Sequence, residues 1–128
     1  MMRLPSTAVL AGLGWAAATG AAMAHHSFAM FDTEHQIEIS GTVREFRFVN
    51  PHTILIVDVK GEDSNIKRWT LESGAPGLQA REGMTANGLK PGDEVVVRIS
   101  PLHSGAEGGS YQLPQIKFKD GRPVVAPR

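Results

Sequence analysis

Ile66-Lys-Arg-Trp-Thr-Leu-Glu72 runs directly into Ser73-Gly-Ala-Pro76, and the change of pattern between these two pieces decides the fold. In the first, Trp69 and Leu71 share one phase of a period-two alternation while Arg68 and Thr70 share the other, as in a strand with one face turned inward. In the second, Pro76 sits where a helix tolerates it, in the first turn. Leu78, Ala80 and Arg81 continue as helix formers, and Gly83 supplies the stop. A short helix therefore follows a strand, and the number of strands on either side sets the architecture.

Upstream lie two strands. Thr53-Ile-Leu-Ile-Val-Asp-Val59 is rich in β-branched residues, and the polar stretch from Gly61 to Asn65 joins it to the next strand as a hairpin. Asn50-Pro51 is a turn signal before it. The first strand opens with Ile37, Ile39 and Val43 in one phase and continues with Phe46 and Phe48 in the other, so a bulge is expected near Arg44-Glu45. Gly41, within this strand, marks a sharp coil.

Downstream, Asn87, Gly88, Pro91 and Gly92 form a link. Val95, Val97 and Ile99 then alternate with Glu94, Val96 and Arg98 as a fourth strand. A Gly-rich loop is expected from His103 to Gly109, then a fifth strand from Tyr111 to Phe118 in which Pro114 forces an edge or bulge. Asp120-Gly121 reads as a turn, and a loose tail is expected over residues 123–128.

Three strands, a helix and two strands within about a hundred residues is the order of the OB-fold, a small five-stranded, partly open barrel. The expected class is mainly β, an OB-fold-like barrel over residues 37–122 with one short helix between strands three and four. An immunoglobulin-like sandwich is the runner-up, but it requires about seven strands and no helix at this point.

The N-terminus reads as a leader. Arg3 supplies positive charge, residues 7–23 are apolar and rich in Ala and Gly, and Ala22-Met-Ala24 has small residues where signal peptidase needs them. The expected division is a cleavable signal peptide over residues 1–24, a mature N-terminal segment over 25–36, then the barrel. The apolar run is short for a membrane span, contains Gly12, Gly14 and Gly20, and lacks a basic stop-transfer flank. The expected location is the periplasm. There are no cysteines, so neither a lipidated cysteine nor a disulfide staple is available.

Removal of the leader leaves 104 residues with 12 basic and 13 acidic side chains, enough for one domain with a modest core. This near-neutral balance offers no field for nucleic acid, and no nucleic-acid partner is expected.

Several stretches carry a family resemblance: His25-His-Ser-Phe-Ala-Met-Phe-Asp32, Gly41-Thr-Val-Arg-Glu-Phe46, Asn50-Pro-His52, Trp69 before Glu72, Leu89-Lys-Pro-Gly-Asp-Glu-Val95 and Asp120-Gly121. Together they resemble the small exported bacterial proteins of domain-of-unknown-function family 6152. Phe48 departs from the pattern, which commonly has Trp there. The resemblance implies an exported β-rich domain and brings no established activity, so function has to be argued from a site.

The site candidates are histidines. Cleavage after Ala24 makes His25 the first residue, where its α-amine and ring nitrogen can chelate one metal ion. His26 and His52 are the further imidazoles of a tetragonal nitrogen site suited to Cu(II), so copper is the candidate cofactor. His52 is the favoured partner because it stands at the start of a buried strand, whereas His103 lies among glycines and His35 precedes the first strand. The same residues also fit a solvated tail, with His52 bonding across its own turn.

No thiolate, nucleophile elbow or phosphate-binding loop is present, and no enzymatic activity is expected. A second class of function is a binding module. Barrels of this type bind extended ligands on the face of strands two and three, where Lys67 and Arg68 would suit an acidic glycan or a partner protein. That pair equally fits a solvated sheet surface.

Overall fold

A computed structural model of the protein describes residues 28–127. The expected leader and both terminal histidines, His25 and His26, lie outside the described residues. Among the described residues six strands are present: β1 (Ile37–Arg47), β2 (Thr53–Lys60), β3 (Ile66–Ser73), β4 (Glu94–Pro101), β5 (Gly108–Ser110) and β6 (Ile116–Phe118). The helix α1 (Pro76–Arg81) lies between β3 and β4, as its proline and glycine punctuation requires, and Gly83 ends it at φ +101°.

Closure of the barrel depends on β1 serving two neighbours. Its first half, Ile37 to Thr42, pairs antiparallel with β4, and its second half, Thr42 to Arg47, pairs with β2. The strand changes partner at Gly41-Thr42. There the backbones approach so closely that a Cβ on Gly41 would sit 2.5 Å from the carbonyl oxygen of Asp58. Val43 faces Val57 and Glu45 faces Ile56, so Arg44 is the extra residue of a β-bulge. That bulge turns Phe46 onto the core after the phase change.

The opposite seam is closed by β5, which runs parallel to β3 from Thr70 to Glu72 and antiparallel to the end of β4. Thus β1, β2, β3, β5 and β4 form a closed, OB-fold-like five-stranded barrel. The fifth strand expected over Tyr111–Phe118 is divided and begins earlier, inside the stretch expected to be only loop. Between Val97 and Ser100, β4 advances three residues while the facing segment advances six, from Ser110 to Ile116. The surplus is the 3-10 turn Leu113–Gln115, whose middle residue is Pro114. Gly108 and Gly109 reach the seam because they lack side chains: a Cβ on Gly109 would lie 2.8 Å from the Ser100 carbonyl oxygen.

The core follows the alternation. Leu55 and Val57 of β2, Leu71 of β3 and Val95, Val97 and Ile99 of β4 are completely buried, and Met84 and Leu89 join them from the link after α1. Each such side chain contributes roughly 1.5–3 kcal/mol of transfer free energy. In the stretch expected to be a loose tail, residues 123–125 make contacts with the barrel. Pro123 bridges to Lys117, Val124 and Val125 pack against the core, and Arg122 lies 4.9 Å over the ring of Phe118. Proline content reads as looseness in a sequence, but two valines with apolar surface at hand bury it.

Candidate functional site

His52 is set by the join between β2 and β3. Thr53, fully buried, donates from both its backbone N–H and its hydroxyl to the Gly74 carbonyl, at 3.2 and 3.1 Å. This fastens the start of β2 to the end of β3. In the resulting register Ile54 faces Glu72, which brings Glu72 beside His52. The Nδ1 atom of His52 lies 2.5 Å from Oε1 of Glu72. The carboxylate occupies the Nδ1 side of the ring, so Nε2 is the nitrogen left to meet a ligand.

The pair lines a cleft of about 540 Å³. One wall is the segment before β1. Asp32 donates its N–H to the Pro101 carbonyl, His103 donates its N–H to the Met30 carbonyl, and Phe31, buried, bridges to Leu102. Through these bonds residues 30–32 extend the barrel edge beside the end of β4, and Phe28 lines the cleft that contains His52. The remaining wall comes from Leu78 of α1 and from Tyr111, Gln112 and Gln115 after β5. Among the described residues no Lys or Arg lines it.

Of the histidines proposed from sequence, then, His52 stands in a cleft, while His25 and His26 lie outside the described residues. His35 is engaged elsewhere, its Nδ1 lying 3.0 Å from Oδ2 of Asp32, and neither it nor His103 lines the cleft. Among the described residues no three His, Cys, Asp or Glu side chains cluster as a metal set, so His52 and Glu72 would need donors from outside that range.

Lys67 and Arg68 are on the outer face, each matched by an acid. Lys67 Nζ lies 3.5 Å from Glu107, and Arg68 donates from Nε to Asp58 at 3.0 Å. Arg44 donates to the other oxygen of Asp58 at 3.5 Å. The hydrogen bond from Arg68 is the main reason the Asp58 carboxyl is held below its ordinary value, with the nearby positive charges adding to it.

Two residues escaped the reading of sequence. Glu72 is one; its signal was the hairpin register, which counts Glu72 opposite Ile54 once the turn geometry is known. Tyr111 is the other. It is 3% exposed, its hydroxyl is buried without a hydrogen-bond partner, and desolvation raises its phenol above the ordinary tyrosine range. Nothing in a lone tyrosine at a strand start announces that.

No helix among the described residues is long and apolar enough to cross a membrane. No curated protein matches the sequence. Among solved structures the chain is similar to the mitochondrial single-stranded DNA-binding protein Rim1 of S. cerevisiae, at 11% identity and a TM-score of 0.48, over 66% of this chain and 93% of that one. The family described as "Family of unknown function (DUF6152)" matches residues 14–112, which take in the cleft and most of the barrel, and the chain belongs to that family.

Proposed function

We propose that this protein is exported, loses its leader after Ala24, and binds a divalent transition metal, Cu(II) foremost, in the periplasm. The ligands are the α-amine and imidazole of His25 together with His26 and His52; Glu72 orients His52. The role is binding rather than catalysis.

One observation carries this reading: Phe28 and His52 line the same cleft. His26 and His25 precede Phe28 by two and three residues, so their Cα atoms lie within about 7 and 11 Å of it in any conformation. The residues that would supply the chelate are therefore within reach of the cleft that holds the His52–Glu72 pair. A nitrogen-rich set of this kind suits Cu(II) better than the oxygen-preferring cations. The outer face with Lys67 and Arg68 is the weaker alternative, because Glu107 and Asp58 already neutralise those cations.

The test is a Cu(II) titration of the chain beginning at His25, followed by paramagnetic resonance and repeated with one additional residue before His25. Tight one-to-one binding with a tetragonal nitrogen signal, lost on extension, is expected. Weak binding that ignores the extension would reduce the histidines to a tail and turn attention to the Lys67–Arg68 face.

A further inference from the structure

The cleft beside His52 and Glu72 has surface that a metal ion would leave unused. Phe28 and Leu78, 68% and 57% exposed, place two large apolar side chains on its wall, and water-exposed apolar surface gains by being covered. Gln115, also in the lining, is held in one orientation. Its Oε1 accepts the backbone N–H of Gln112 at 2.9 Å, so its amide nitrogen is the end left to serve a ligand. Glu72 is the carboxylate of the lining, and among the described residues no Lys or Arg accompanies it, so an anion would meet Glu72 with only His52 beside it. The volume, about 540 Å³, is that of a small-molecule site.

We infer that this cleft binds a small organic molecule with its flat apolar face against Phe28 and Leu78, a neutral one placing an oxygen acceptor on the amide of Gln115 and a cationic one turning its donors to Glu72. The site needs no metal and no residue before Phe28, so it stands or falls separately from the copper reading.

Three probes of one size and shape test it: benzamide, benzamidine and benzoate, titrated into the metal-free protein as the cell processes it. The backbone amide signals of Leu78, Tyr111 and Gln115 are followed by NMR. Benzamide and benzamidine are expected to bind with dissociation constants of about 1 mM, the scale for ligands of this size, and benzoate at least about tenfold more weakly. Gln115→Glu keeps the acceptor for Gln112 and replaces the donor, so it weakens benzamide about fivefold and tightens benzamidine. Leu78→Ser, at an exposed helix position, weakens both probes alike. Absence of shifts up to about 10 mM probe, benzoate binding as tightly as benzamide, or indifference to both variants would overturn the inference. So would probe binding that appears only after residues 25–27 are deleted, since the chain's own terminus would then be the occupant.

Discussion

His52 and Glu72 meet across the β2–β3 join, Nδ1 to Oε1 at 2.5 Å, although they stand twenty positions apart in the sequence. The contact sets a carboxylate on the Nδ1 side of the ring. If Cu(II) is held as proposed, Glu72→Gln should lower its affinity about 10- to 100-fold, the usual effect of removing an orienting carboxylate, and His52→Ala by at least as much. Both variants should keep the circular dichroism spectrum of the parent. Loss of the fold in His52→Ala would show instead that the residue holds its turn.

Gly41 is where β1 passes from β4 to β2. Gly41→Ala would drive a Cβ to 2.5 Å from a backbone oxygen and 2.7 Å from Val57. Backbone cannot swing aside as the end of a side chain can, so a loss of about 1–3 kcal/mol is expected, read from the urea midpoint at unchanged m-value. An unchanged midpoint would mean the crossing is looser than its geometry.

Tyr111 buries a hydroxyl without a partner. Tyr111→Phe removes that desolvation cost while keeping the ring, so thermal stability should be unchanged or rise by up to about 1 kcal/mol. A clear fall in the melting temperature would reveal a bonded hydroxyl, through an ordered water for example.

Acid should weaken the protein in a particular window. The hydrogen bond from Arg68 lowers the folded pKa of Asp58 below 3.8, and bonds from Asn65 and Arg122 do the same for Asp63 and Asp120. Groups lowered by folding bind fewer protons in the folded state, so their stabilisation is present above the ordinary carboxylate value and fades as pH falls through the folded one. Urea midpoints should therefore decline below about pH 4, modestly and less so at high salt because the pairs face solvent. Asp58→Asn should flatten that decline; an identical profile in the variant would remove Asp58 as a source.

Much of the barrel was legible from local pattern. Alternation in Val95-Val-Val-Arg-Ile99 assigns Val95, Val97 and Ile99 to the core, and all three are completely buried. The phase change after Val43 places a bulge, and the register slips there. Pro76 and Gly83 bracket a helix, and α1 lies between them. These features are readable because side-chain phase and backbone torsion are properties of a few consecutive residues.

What local pattern leaves open is partnership between distant segments. Gly108 and Gly109 have the composition of a loop, and only the parallel approach of β3 makes them the strand that closes the barrel. Val124 and Val125 pack because a surface for them exists, which no run of six residues can announce. Glu72 became His52's neighbour through the register of a hairpin, and Phe28 through hydrogen bonds between residues 30–32 and 101–103. Chain order therefore determined the elements and the candidate histidine His52, whereas the carboxylate that orients it and the cleft around it arose from pairings between segments far apart in sequence, where register and burial, not local propensity, set the free energy.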